Sequence, residues 1–303
     1  MIYTLTLNPS LDYVVELESM TLGALNRINQ DTKFPGGKGI NVSRVLKRLG
    51  VNSLAIGFIG GFTGDFINNY LSKEDIVTHF IKVKEDTRIN VKVKAEKETE
   101  INAAGPTIYK EDFEQLKQFI RSLSNEDLLV VAGSIPSSMP ANTYEEILAI
   151  CHEQQIKIVV DAEGDLLKSI LVYKPFLIKP NHHELGQFFD TKITTWEEAV
   201  PYCRKLVELG AENIIVSLAG DGAIFMNREH GYYATVPTGE VKSSVGAGDS
   251  MVAGFLAQYS KSKDTKDAFR YSVATGSATA FSLGLCSKEK VEELLHQVQI
   301  TEI

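Results

Sequence analysis

Leu128-Leu129-Val130-Val131-Ala132-Gly133-Ser134-Ile135-Pro136 is a run of five apolar residues closed by a small, polar, proline-ended turn. Such a run is short for a helix and has the length of a strand buried on both faces. Downstream, Glu145–Cys151 carries Ile147, Leu148 and Ile150 on the apolar side of a predicted helix, and Ile156–Val160 is a second apolar run. Strand, turn, helix and strand in this order make a βαβ unit with parallel strands. The rhythm continues in both directions. Ile2–Leu7 ends at Asn8-Pro9-Ser10, Leu54–Ile59 at Gly60-Gly61, and Ile156–Val160 at Asp161-Ala162-Glu163. Phe176–Ile178 ends at Lys179-Pro180-Asn181, and Ile214–Leu218 at Ala219-Gly220-Asp221-Gly222. Asp112–Leu123 and Trp196–Leu209 space their apolar residues by three and four, which predicts helices. The expected class is α/β with a mostly parallel central sheet. Ligands of such sheets bind at the carboxyl ends of the strands. That is where this chain gathers its Gly, Asn, Asp, Lys and Ser.

Two stretches break the rhythm. Leu11–Lys33 scatters Val14, Val15, Leu17, Leu22, Leu25 and Ile28 among polar residues, and Arg88–Ala95 alternates strictly, Ile89, Val91 and Val93 against Asn90, Lys92 and Lys94. Period-two alternation means a strand with one wet face. These excursions predict a small β lid, residues 12–33 and 88–104, standing on a main body of residues 1–11, 34–87 and 105–303. A small sheet with one apolar face must cover something or pair with a copy of itself. A homodimer through the lid sheets is the expectation.

The chain has 303 residues and a net charge of −8, from 31 Lys+Arg against 39 Asp+Glu. That balance excludes a sequence-independent nucleic-acid binder, which needs a basic footprint. With 44% hydrophobic and 23% charged residues the composition is that of an ordinary globular protein. Cys151, Cys203 and Cys286 lie far apart and form no CxxC pair, as expected of reduced thiols in a cytoplasmic protein. The N-terminus has no basic region followed by a long apolar run, and no window holds 18 uninterrupted apolar residues. Neither a signal peptide nor a membrane partner is expected.

Val245-Gly246-Ala247-Gly248-Asp249-Ser250-Met251 places small residues ahead of a predicted helix. Such residues let successive backbone N–H groups face one concavity, where the helix N-terminus adds positive potential. The result is an anion hole for a migrating phosphoryl group, with Asp249 beside it to take a proton from an attacking hydroxyl. Read alone, the segment is equally a Gly-rich loop with a simple N-terminal helix carboxylate. Phe34-Pro35-Gly36-Gly37-Lys38-Gly39-Ile40-Asn41 is a second glycine loop that opens a helix, with Lys38 as a point charge. It is not a Walker A loop, since Gly39 stands where Ser or Thr is needed, and no stretch satisfies GxGxxG after a strand. Asn181 and Glu184, three apart, share a helix face and suit a hydrated magnesium, or else cap the helix. His182 and His183 are adjacent and do not converge on one metal. Ser217-Leu218-Ala219-Gly220-Asp221-Gly222 is a tight, Gly-rich turn that could admit a nucleotide, and Asp12 and Arg88 sit on the expected lid.

Taken together, these segments resemble the PfkB/ribokinase-like carbohydrate kinases over essentially the whole chain. The resemblance rests on Thr6-Leu7-Asn8-Pro9-Ser10-Leu11-Asp12, Gly36–Val42, Asp86-Thr87-Arg88, Ala132–Pro136, Lys179-Pro180-Asn181 with Glu184, and Gly246-Ala247-Gly248-Asp249, in that order. It implies a ribokinase-like three-layer α/β/α fold with a β lid, and an ATP- and magnesium-dependent sugar-phosphate kinase. Within the family the chain looks most like the branch that phosphorylates fructose 1-phosphate at its 6-hydroxyl, with tagatose-6-phosphate kinases close. The resemblance further implies Asp249 as catalytic base and Gly246, Ala247 and Gly248 as the anion hole. It implies Asp12, Gly37, Lys38, Asn41, Arg88, Ser134 and Arg27 around the sugar phosphate. Lys179 would meet the ATP phosphates, Asn181 and Glu184 the magnesium, and Ser217, Leu218, Ala219, Gly220, Asp221 and Gly222 the nucleotide. Ala219 departs from the pattern, because relatives usually have Gly there; if the position needs positive φ, Ala costs about 1 kcal/mol. A non-catalytic sugar-phosphate sensor on the same fold is a second reading, and a nicotinamide dehydrogenase, lacking the fingerprint, a third.

Overall fold

The computed structural model of the chain describes residues 1–161 and 166–303. Ala162 and Glu163, expected in the turn after Ile156–Val160, lie outside the described residues. The first half of the chain forms β1 (Ile2–Thr6), β2 (Ser10–Glu16), β3 (Gln30–Gly36), α1 (Lys38–Arg48), β4 (Ser53–Ile59), α2 (Gly61–Lys73), β5 (Val77–Lys82), β6 (Arg88–Lys94), β7 (Glu98–Asn102), α3 (Lys110–Arg121), β8 (Leu128–Ala132) and α4 (Thr143–Glu153). The second half forms β9 (Lys157–Asp161), α5 (Leu166–Ile170), β10 (Leu177–Ile178), α6 (His182–Phe188), α7 (Trp196–Glu208), β11 (Asn213–Ser217), β12 (Ala223–Asn227), β13 (Gly231–Ala234), α8 (Ala247–Ser262), α9 (Thr265–Ala280), α10 (Lys288–Leu295) and β14 (Ile300–Glu302).

Among the described residues, ten strands form the main sheet in the order β14-β13-β12-β11-β10-β9-β8-β1-β4-β5. Those from β11 to β5 are parallel, and β12, β13 and β14 finish one edge antiparallel. Successive side chains of a buried strand point to opposite faces. Leu129 and Val131 of β8 accordingly join Phe113, Leu116 and Leu148 from α3 and α4. Val130 and Ala132 join Val42, Val252 and Phe269 from α1, α8 and α9 on the other side. Two helix layers thus enclose the sheet, as the doubly buried apolar runs require. After β5 the chain crosses back to place β8 on the far side of β1. The strand order reverses there, opening a crevice at the carboxyl ends of β1 and β8.

The second sheet has the order β3-β2-β6-β7. It is mixed: β2 pairs antiparallel with β3 and parallel with β6, and β6 pairs antiparallel with β7. Its two faces differ from the simplest reading of the alternation. The polar row, not the apolar one, is turned inward: Asn90 is buried, and Asp12, Asn90 and Lys92 line a cavity over the main sheet. On the opposite row Ile89 and Ile101 are exposed, as are Leu22 and Leu25 in the loop between β2 and β3. The inner face is wet because it meets polar ligand space, which periodicity cannot distinguish from bulk water.

Candidate active site

A cavity of about 1340 Å³ lies between the two sheets. Its floor is made by the carboxyl ends of five adjacent strands. β1 contributes Thr6, β8 leads to Gly133 and Ser134, β9 ends in Asp161, β10 leads to Lys179 and Asn181, and β11 ends in Ser217. Parallel strands place the first polar residue after each apolar run at the same height, so residues far apart in sequence converge.

Asp249 sits in the first turn of α8, 5% exposed. The turn ahead of it is possible because Gly246, the residue capping α8, has φ 77°, a left-handed conformation that glycine adopts without strain. Asn41 Nδ2, from the first turn of α1, donates to Asp249 Oδ2 at 2.8 Å. Burial pushes the Asp249 carboxyl up to about 7, the nearby Asp161 charge adds to this, and the Asn41 hydrogen bond, Lys38 and Lys179 oppose it. A carboxyl poised near neutrality beside an anion hole can take a proton from a hydroxyl at ordinary pH. A Cβ at Gly248 would stand 3.0 Å from Lys179 Nζ, so the ammonium packs directly against the start of α8. Lys38 Nζ and Lys179 Nζ each lie 3.5 Å from Asp161 Oδ1.

The lid supplies the opposite wall. Asp12 Oδ1 accepts from Ser10 Oγ at 2.6 Å and from Asn90 Nδ2 at 3.2 Å. Lys92 Nζ lies 3.7 Å from Asp12 Oδ2 and 3.4 Å from Glu100 Oε1. Arg88 Nη1 and Nη2 donate to the carbonyls of Ala103 and Asn8, at 3.0 and 2.9 Å. Its guanidinium therefore ties β6 to the β1–β2 connection while still lining the cavity.

At the start of α6, Asn181 and Glu184 cap the helix reciprocally: Asn181 Oδ1 accepts from the Glu184 N–H at 2.9 Å, and Glu184 Oε2 from the Asn181 N–H at 2.8 Å. Burial raises the Glu184 carboxyl above its ordinary range. Both residues line the cavity, and each keeps oxygen capacity beyond the cap. Among the described residues no three His, Cys, Asp or Glu side chains cluster to hold a metal. The donors fit an ion that keeps most of its water, as magnesium does. Ser217, Ala219, Gly220 and Gly222 border the cavity, whereas Leu218 is buried behind them and the Asp221 carbonyl accepts from Tyr233 OH. Ala219 has φ 51°, in a single 3-10 turn over Ala219–Asp221.

Gly37, Lys38, Asn41 and Ser134 all line the cavity, while Arg27 is exposed on the β2–β3 loop, outside the cavity lining. Sequence reasoning passed over Asp161, Lys92 and Tyr144. Asp161 ends an apolar run just as Lys179 follows one, a signal that was available. Tyr144, whose hydroxyl donates to the Gly133 carbonyl at 2.8 Å, read only as a core aromatic. The apolar wall of Val236, Val241, Val273 and Phe281, suited to a flat base, comes from four separate segments with no local motif.

The pfkB family carbohydrate kinase pattern matches residues 5–291. The chain belongs to this family. As a pfkB family member it is a sugar-phosphate kinase that uses ATP as co-substrate. It is similar to the 1-phosphofructokinase of Bacillus subtilis, 56% identical over 303 residues that cover the whole of both chains. It is also similar to the D-tagatose-1-phosphate kinase of Bacillus licheniformis, 38% identical over 304 residues and again all of both chains. Among solved structures, phosphofructokinase-2 from Escherichia coli in complex with substrates and products superposes with a TM-score of 0.93 at 28% identity, covering 98% of each chain. No helix among the described residues is long and apolar enough to cross a membrane.

Proposed function

We propose that this pfkB kinase transfers the γ-phosphoryl group of ATP to the 6-hydroxyl of fructose 1-phosphate, giving fructose 1,6-bisphosphate and ADP. The observation that carries the chemistry is the buried Asp249 carboxylate, raised toward neutrality, at the mouth of the α8 anion hole. Asp249 takes the hydroxyl proton as O6 bonds to the γ-phosphorus and the bond to the β,γ-bridging oxygen breaks. The backbone N–H groups from Gly246 to Gly248 and the Lys179 ammonium offset the charge on the transferring group. Asp12, Gly37, Lys38 and Asn41 hold the sugar, with Arg88 and Ser134 toward its phosphate, whereas Arg27, exposed and outside the cavity lining, has no part in this arrangement. Ser217–Gly222 borders the nucleotide. Asn181 and Glu184 are the residues that would hold a magnesium ion, and the ion would supply charge neutralisation on the phosphates.

The choice of acceptor is supported by the 56% identical 1-phosphofructokinase. Its competitor is a tagatose phosphate, favoured by the 38% identical D-tagatose-1-phosphate kinase. The two sugars differ in one hydroxyl configuration. ADP release measured side by side with fructose 1-phosphate, fructose 6-phosphate, tagatose 1-phosphate and tagatose 6-phosphate decides between them. The expected order of kcat/KM has fructose 1-phosphate first; a higher value for any other would sink the assignment. Binding of all four with no phosphoryl transfer would leave a sensor.

Residues 12–33 and 88–104 act as a lid that excludes water from the reacting phosphoryl group. The exposed Leu22, Leu25, Ile89 and Ile101 favour pairing of two lids in a homodimer. Light scattering at micromolar concentration checks this, and a monomer mass would count against it.

A further inference from the structure

Two helices begin at one point of the cavity wall. Asn41 comes from the first turn of α1 and Asp249 from the first turn of α8, and both side chains line the cavity. Asn41 Nδ2 donates to Asp249 Oδ2 at 2.8 Å, joining residues 208 positions apart. A carboxylate only accepts, so the amide presents its N–H to the acid and not its oxygen. The start of α1 is itself fixed. The Ile40 N–H donates to Thr6 Oγ1 at 3.0 Å, and a Cβ on Gly39 would stand 2.6 Å from the Leu5 carbonyl oxygen, so the helix rests directly on the end of β1. On its other side the amide meets the cap of α8: a Cβ on Gly246 would lie 3.8 Å from Asn41 Nδ2.

We propose that Asn41 is a positioning residue for the base: its side-chain amide fixes one oxygen of Asp249, leaves the other turned to the acceptor hydroxyl, and supports the charged form of the carboxylate. A neutral donor suits this task. A cation at the same distance would orient the carboxylate equally well but lower its proton affinity by about one to three pH units, which weakens a base. The amide orients Asp249 and only partly offsets the effect of burial. This role is separate from any contact Asn41 makes with the sugar, since the amide keeps a second N–H and its oxygen. The inference rests on the reading of Asp249 as base and does not depend on which sugar phosphate accepts.

The test is Asn41→Leu, which removes the donor at similar size, beside Asn41→Asp, which replaces it with a second carboxylate. The charged groups that act on Asp249 are Asp161 at the end of β9, Lys38 at the start of α1 and Lys179 after β10. α9, packed along α8, presents hydroxyls instead: Ser272 Oγ donates to the Met251 carbonyl and Thr279 Oγ1 to Ser250 Oγ, both at 2.7 Å. All of these stay in place in both variants. The first readout is carbon-13 NMR of aspartate-labelled, substrate-free enzyme, following the carboxyl signal that titrates near 7 and is missing from Asp249→Asn. In Asn41→Leu this signal should titrate about one pH unit higher. In Asn41→Asp the two carboxyls share a proton, and their upper titration should lie higher still. The second readout is the kcat–pH profile with the best sugar phosphate. Asn41→Leu should lose about 50-fold at pH 7, of which about fivefold is lost ionisation and returns at pH 9, the rest being lost orientation. A signal that stays near 7 in Asn41→Leu overturns the proposal, whether the melting temperature falls, which would assign Asn41 to structure, or only the sugar phosphate KM rises, which would make it a sugar contact alone. Should Asn41→Leu fail to fold, Asn41→Asp decides: an upper titration above the wild type's supports the proposal, and an unchanged one refutes it. Wild-type-like turnover by Asp249→Asn would instead sink the base assignment, while the substrate-free titration would still report the hold of Asn41 on Asp249.

Discussion

The floor and the lid of the cavity both carry charged side chains, but on opposite terms. On the floor, Asp249, Asp161 and Lys179 are almost fully buried, and each is fixed by the end of a strand or the first turn of a helix. On the lid, Lys92, Asp12 and Glu100 sit on neighbouring strands of a four-stranded sheet, with Glu100 exposed. Buried charges have strongly environment-dependent proton affinities, whereas a pair with an exposed partner, such as Lys92 with Glu100, is screened and contributes about 0–1 kcal/mol. On the proposed function, the floor sets the chemistry and the lid selects what enters. Substitutions on the floor should act on kcat, and substitutions on the lid on KM.

The largest effect is expected at Asp249. Asp249→Asn keeps the size and the burial but removes the proposed base, and kcat should fall by about 10³- to 10⁴-fold, with both KM values within about threefold. Steady-state ADP release measures it. A loss confined to KM would break the division between floor and lid at its strongest point.

The pH dependence of the unaltered enzyme sharpens the same contrast. Asp249 must be ionised to accept a proton, so kcat should rise with pH to a plateau, with its midpoint near the raised value of about 7. Stability runs the other way. A carboxyl whose proton affinity is raised by folding contributes stability that is fully present below its unfolded value near 4 and is lost as pH rises through about 7. Asp249→Asn removes that loss. Its melting temperature should exceed the wild type's at pH 8 by roughly 3 °C or more, with little difference at pH 5. Scanning calorimetry at the two pH values checks the sign. An equal difference at both would show that the carboxyl titrates in its ordinary range.

The parts of the molecule that were legible in the sequence follow the same division. The floor was readable because parallel strands repeat one grammar: an apolar run such as Phe176–Ile178, then the residue that does something, Lys179. The ten-stranded order itself was not, since the crossover from β5 to β8 leaves no local mark. The lid strands showed as alternation in Arg88–Ala95, but which face meets the cavity did not, because Asn90 and Lys92 are polar whether they face solvent or ligand. Asp161 went unread for a different reason. Its partners are Lys38 and Lys179, which lie 123 residues before it and 18 after it, and ion pairing over such separations appears only once the strands are assembled. Arg88 shows the converse, a residue with a recognisable role whose guanidinium is also engaged with the carbonyls of Asn8 and Ala103.

A smaller effect tests the lid. Lys92 projects from β6 into the cavity between Asp12 and Glu100. Lys92→Met keeps the aliphatic stem and removes the cation. The KM for the sugar phosphate should rise about tenfold, the worth of one charge-assisted contact, while kcat stays within about twofold. The same variant should leave the KM for ATP unchanged, because Lys92 stands beside Asp12 on the wall proposed to hold the sugar. Initial rates with each substrate varied in turn separate these outcomes. A fall in kcat instead would mean that the lid cation reaches the transferring phosphoryl group, and the floor would not act alone.

The smallest effect is expected at the rim, where strain is carried by exposed backbone. Ala219 holds φ 51°, a conformation that costs an L-residue roughly 1 kcal/mol or more relative to glycine. Ala219→Gly relieves that cost, yet glycine also makes the unfolded chain more flexible, which takes back about 0.4–1 kcal/mol. The two nearly cancel, so the melting temperature should rise by no more than about 1–2 °C. The KM for ATP should stay within about twofold, because the turn is held by other contacts: the Leu218 N–H donates to the Gly222 carbonyl at 2.9 Å, and the Asp221 N–H to the Leu218 carbonyl at 3.0 Å. Had the same strain been placed on the floor, its relief would have moved Lys179 or Asp249 and been felt in kcat. A change in kcat on Ala219→Gly would show that the nucleotide turn and the floor are mechanically one unit, and the contrast drawn between buried and exposed parts of the site would then have to be redrawn around the nucleotide.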